Sequence, residues 1–119
     1  MNKLIAWVEI PTENFDRAVS FYDKVFGWNL NPMDFGSEKM ALLPDNAGAI
    51  SSAPGFKPSS NGVLVSFTTS EIAETLETIE KNGGSVKTPR TAIDREEGGY
   101  FATFIDCEGN QLGLFSSEK

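Results

Sequence analysis

The chain repeats itself. Shifted by 57 positions, Phe15 falls on Ile72, Val19 on Leu76, Tyr22 on Ile79, Lys24 on Lys81 and Gly27 on Gly84. Apolar residues at this spacing line one face of a helix, and a glycine after the last turn ends it. In the first copy Phe15, Ala18, Val19, Tyr22, Val25 and Phe26 share that face, and Thr12 or Asn14 can cap its start. The second helix is expected from about Ser70 to Asn82 with Ile72, Leu76 and Ile79 inward. Its Glu71, Glu74, Glu77 and Glu80 read as a solvated face. Each helix follows a strand-like run, 4–10 and 63–68. Each precedes three more: 28–32, 39–43 and 47–52 in one copy, 85–87, 100–105 and 111–115 in the other, with a piece between them unassigned. A repeat of this length is a duplicated supersecondary unit, β-α-β-β-β twice. The expected fold is therefore α+β: one domain of two tandem modules, about 1–52 and 63–119, forming a curved mixed sheet around a cleft. The Ser-, Pro- and Gly-rich stretch 53–62 connects them.

Side chains alternate across a strand, so each strand has a face for its helix and a face for something else. In the first strand Leu4, Ala6, Val8 and Ile10 should lie on the helix, leaving Ile5, Trp7 and Glu9 on the opposite side. In its repeat partner Val63, Val65 and Phe67 alternate with Leu64, Ser66 and Thr68. The shift of 57 sets Leu64 against Trp7 and Ser66 against Glu9. These four, with Phe101, Gln111 and Gly113, are the candidate ligand-binding residues. Glu9 is the one candidate catalytic group, as a general base or as the anionic partner of a cationic ligand beside Trp7. It can equally bond backbone or an arginine where helix meets sheet. Phe35 and Phe56 are further candidates to line the cleft, and Gly98-Gly99 to rim it, with Glu96-Glu97 in the loop before.

Composition narrows the chemistry. Among 119 residues there is no histidine, which removes Ser-His-Asp and Cys-His catalysis and every histidine metal site. Ten basic against 17 acidic residues leave a net charge of −7, which disfavours nucleic acid and anionic membranes as partners. The apolar run 4–8 is shorter than a secretory leader needs, and the lone Cys107 has no partner for an internal disulfide. Both point to the cytoplasm. Flanked by Asp106 and Glu108, Cys107 is a poor nucleophile. The segment 106–110 reads as a tight turn in which Gly109 and Asn110 take positive φ.

Several segments resemble a known superfamily. Glu9-Ile10-Pro11, Arg17-Ala18, Phe21-Tyr22 and Val25-Phe26-Gly27-Trp28 are similar to the opening of vicinal oxygen chelate proteins, which include glyoxalase I, extradiol dioxygenases and bleomycin-resistance proteins. Gly83-Gly84, Gly99-Tyr100-Phe101-Ala102, Asp106-Cys107-Glu108-Gly109-Asn110 and Leu114 resemble the small lactoylglutathione-lyase-related branch, with Cys107 in place of the turn proline. The resemblance spans the chain and implies the same duplicated fold. It also implies divalent-metal ligands at positions that here hold Trp7, Leu64 and Gly113, with a fourth around 49–51, where no carboxylate occurs. Indole, isobutyl and hydrogen do not coordinate Zn²⁺, Ni²⁺ or Fe²⁺. Glu9 and Gln111 alone would hold a hard cation weakly.

Three functions follow from the resemblance. The first is a metal-independent protein, without cofactor, that binds a small organic molecule, cationic or aromatic, in the manner of bleomycin-resistance proteins. The second is a metal-dependent lyase or isomerase of the glyoxalase I type. The third is a dimeric interaction module without a ligand. Homodimers are common in the superfamily, and a homodimer is the assembly it implies.

Overall fold

Asn14 begins the first helix. Its backbone is extended, and its side-chain oxygen accepts from the Arg17 N–H at 3.1 Å, satisfying one of the donors a helix start leaves open. Thr12, the other candidate cap, instead donates its hydroxyl to the Ser51 carbonyl. The helix, α1 (Phe15–Phe26), ends at Gly27, whose left-handed backbone (φ +69°) lets its N–H donate to the Asp23 carbonyl. The computed structural model describes residues 4–94 and 98–117. Within them the chain divides into two units, Met1–Pro58 and Ser59–Lys119.

The first unit contains β1 (Val8–Pro11), α1, β2 (Pro32–Asp34), β3 (Lys39–Leu42) and β4 (Gly48–Ser52), with a short 3₁₀ turn before β4. Its sheet runs β1-β4-β3-β2, with β1 parallel to β4 and the other pairs antiparallel. Ile10, Ala41 and Ile50 stand side by side in the register, and with Phe15, Ala18, Val19 and Tyr22 they make the core. Phe21, outside the expected helix face, is buried as well. Tyr22, Phe26 and Trp28 stack with ring centroids 4.5–6.0 Å apart.

The second unit repeats the plan with β5 (Ser66–Thr68), α2 (Ile72–Lys81), β6 (Ser85–Ala92), β7 (Tyr100–Ile105) and β8 (Gln111–Ser116), in the order β5-β8-β7-β6. Ile72, Leu76 and Ile79 of α2 join Ala102, Phe104, Leu112 and Leu114 in its core. A buried turn sets the start of β8. Asp106 Oδ1 accepts from the backbone N–H groups of Glu108 and Asn110, and its Oδ2 from the Asn110 side-chain amide. Gly109 takes the positive φ (+99°); Asn110 serves as a hydrogen-bonding residue, its side-chain oxygen accepting from the Ser59 N–H.

Several expectations are corrected. The first strand starts at Val8, not Leu4, because its partner β4 starts at Gly48, opposite Val8. Leu4 and Ala6 therefore do not lie on the helix, and Leu4 is 96% exposed. Likewise β5 begins at Ser66, where Gly113 faces it, and leaves Val63 exposed. The strand expected at 28–32 lies at Pro32–Asp34; Trp28 stacks on the helix end, Asn29 is left-handed, and Asp23 Oδ1 holds the Leu30 N–H. The unassigned piece after Lys87 continues β6 to Ala92 with two register shifts. At the end of α2 the left-handed glycine is Gly83 (φ +101°), one place before the residue that the repeat aligns with Gly27. The α+β fold of two tandem modules stands as expected, with one four-stranded mixed sheet in each unit.

Candidate functional site

In the first module the face of the sheet away from α1 carries Glu9, and neighbouring side chains hold its carboxylate. Trp7 Nε1 donates to Glu9 Oε2 at 3.2 Å, and Ser51 Oγ donates to Oε1 at 2.9 Å. Ser51 is buried on β4, two residues beyond Ala49, which pairs with Glu9, so the short hydroxyl reaches diagonally on the same face. With each oxygen accepting a hydrogen bond, the Glu9 side chain is held in one orientation. Trp7, 41% exposed, precedes the strand and presents its ring beside that carboxylate.

An open pocket of about 570 Å³ forms there, lined by Trp7, Glu9, Glu38, Met40, Ala53 and Phe56. Its volume lies within the usual range of small-molecule sites. Two carboxylates, two aromatic rings and a thioether make up its polarizable and charged lining, and no lysine or arginine is among its residues. Phe56, an expected lining residue, is here, carried by a turn in which its N–H bonds the Ala53 carbonyl. Phe35 is not; it lies 64% exposed in the turn after β2. Glu38 and Met40 escaped the sequence reading. Met40 could have been found by alternation, since it pairs with Ser51 on the face that holds Glu9.

In the second module Ser66, Phe101, Gln111 and Gly113 lie on one face of the sheet. Phe104, Ala102, Leu112 and Leu114 point to the core, so their alternates on β7 and β8 face the other way. Ser66 pairs with Gly113, and a Cβ on Gly113 would collide with the Ser66 hydroxyl. Leu64 is half exposed, two residues before β5. Thr103, unremarked in the sequence, lies on this face between Phe101 and Ile105; the alternation that placed Phe101 would have placed it. Gly98 and Gly99 both have positive φ, whereas Glu96 and Glu97 lie outside the described residues. Cys107 is half-buried, its thiol donating to Glu108 Oε2 at 3.4 Å.

With two β-α-β-β-β modules of this order in place, the comparison with solved structures is decisive for the fold. A glyoxalase/bleomycin resistance protein from Albidiferax ferrireducens T118 superposes with a TM-score of 0.72 at 18% identity, over 96% of this chain and 99% of that one. The chain has the glyoxalase/bleomycin resistance fold. A glyoxalase-related enzyme from Fulvimarina pelagi shares that fold (TM-score 0.71, 15% identity, 97% of this chain and 88% of that one). So does glyoxalase I from Zea mays (TM-score 0.70, 16% identity), of which this chain, 94% covered, spans 45%. Residues 5–43 match the family model for the bleomycin resistance protein-like N-terminal region. No curated protein matches the sequence.

The glyoxalase/bleomycin resistance fold raises the question of a metal, and the residues at the implied ligand positions do not fit one. Strand pairing makes Ala49, opposite Glu9, the first-module counterpart of Gly113, opposite Ser66. The four positions of the implied ligand set thus hold Trp7, Ala49, Leu64 and Gly113. The indole nitrogen of Trp7 is a donor only and is engaged with Glu9. Among the described residues no three Cys, Asp or Glu side chains gather closely enough to hold a metal ion. No described helix is long and apolar enough to cross a membrane.

Proposed function

We propose that the protein binds a small organic cation without a metal, its charge set between Glu9 and Glu38 and its apolar or aromatic body against Trp7, Met40 and Phe56. The observation that carries this reading is the pocket lining itself: two carboxylates beside two aromatic rings, with Glu9 oriented by Trp7 and Ser51. A ring face attracts a cation through its quadrupole, by about 0.5–2 kcal/mol depending on desolvation. The net charge of −7 adds a long-range attraction of the same sign. The same reading has the protein act as a homodimer in a reducing compartment, and the presence of a single cysteine in the sequence supports the latter.

The test is titration with bleomycin and with simple planar cations while tryptophan fluorescence is followed. Quenching that saturates, that disappears in Trp7→Phe, and that shifts about tenfold to higher concentration in Glu9→Gln is the expected result. Neutral isosteres binding as tightly as the cations, or no response to any cation, overturns it. Native mass spectrometry reads the rest: a stoichiometric divalent ion on each chain would overturn the metal-free part, and a monomer mass the homodimer.

A further inference from the structure

The face of the second module's sheet away from its core carries a row of hydroxyls that line no part of the cation pocket. The register sets Thr88 of β6, Thr103 of β7, Gly113 of β8 and Ser66 of β5 directly across from one another. On one side of the row Phe101 pairs with Phe115, and on the other Ile105 pairs with Gln111. None of these residues is charged. Thr103 is 6% exposed, and its Oγ1 has no hydrogen-bond partner among the described residues. A buried hydroxyl without a partner is destabilising, and a valine would fill the same space without that penalty. Beside it Gly113 leaves a notch, and the exposed Ser66 puts its hydroxyl where a Cβ on residue 113 would stand. Thr103 pairs with Gly113 across the sheet and so borders that position.

We propose that this row is a subsite for a neutral polyhydroxylated group, a sugar ring or polyol portion of a small molecule. Hydroxyls both donate and accept, so Ser66 and Thr103 match ligand hydroxyls in either sense. The ring faces of Phe101 and Phe115 suit the apolar C–H side of a saccharide. An anion would find no cationic side chain in the row, and a metal ion would find only neutral oxygens. The row is formed by residues of the second module alone, so its test does not rest on the proposed cation binding.

The experiment uses the full chain with methyl β-D-glucopyranoside, ribose and glycerol, followed by saturation-transfer NMR and calorimetry, with tetramethylammonium as the cation control. Expected is millimolar binding of the glucoside, weakened at least about fivefold in Thr103→Val and in Ser66→Ala and unchanged in Glu9→Gln. Thr103→Val should also melt at or above the temperature of the unsubstituted protein, a readout that separates a ligand-facing hydroxyl from a structural one. Failure of all three polyols to bind, glucoside binding unaffected by both substitutions, or a lowered melting temperature of Thr103→Val overturns the proposal. Loss of tetramethylammonium binding with the glucoside retained would count against the cation pocket alone.

Discussion

The two modules share a plan and differ on the face that each turns away from its helix. Toward the helix the equivalent positions are apolar in both: Ile10 beside Ile50 in one sheet, Phe67 beside Leu114 in the other. On the opposite face Glu9 beside Ala49 in the first module becomes Ser66 beside Gly113 in the second. One face must fill a volume at close packing, which tolerates few shapes. The other has no such constraint and has become acidic and aromatic in one copy, hydroxylic and neutral in the next. Duplication kept what packs and released what does not.

The largest effects should test the packed half of that comparison. Ile50→Ala and Leu114→Ala, both fully buried at matching positions, should each cost about 2–5 kcal/mol in urea unfolding. A cost below about 1 kcal/mol at one of them would break the equivalence of the two cores. Next come the helix ends. Gly27→Ala forces a side chain into the left-handed backbone at φ +69° and should cost about 1 kcal/mol. Asn14→Ala, which removes the cap on α1, should cost a similar ~1 kcal/mol. The counterpart of Asn14 at the start of α2 is Glu71, which makes no side-chain cap bond; Glu71→Asn should therefore leave stability unchanged or raise it by at most about 1 kcal/mol in the same assay. Equal losses at Asn14 and Glu71 would show that the two helix starts are not distinguished by capping at all.

Much of this could be read along the chain. Both helices, their buried stripes, and four of the eight strands to within a residue or so follow from residue type and spacing. The candidate site was legible in part. Trp7 and Glu9 meet as expected, and Ser66, Phe101, Gln111 and Gly113 share a sheet face because alternation is a local rule. Leu64 does not join a strand, Phe35 does not line the pocket, and Glu38, Met40 and Thr103 had to be seen.

The sequence by itself determined the repeat and the two amphipathic helices, because each is set by spacing between near neighbours along the chain. Only the tertiary structure decided where strands begin and which side chains meet. A strand exists only where another segment's backbone pairs with it, and Leu4 to Trp7 match the alternation yet have no such partner before Gly48. The gathering of Glu9, Glu38 and Phe56 around one pocket joins residues far apart in the chain. The unpaired hydroxyl of Thr103 is likewise a property of its neighbours across the sheet, since no residue near it in the chain dictates whether a partner stands opposite.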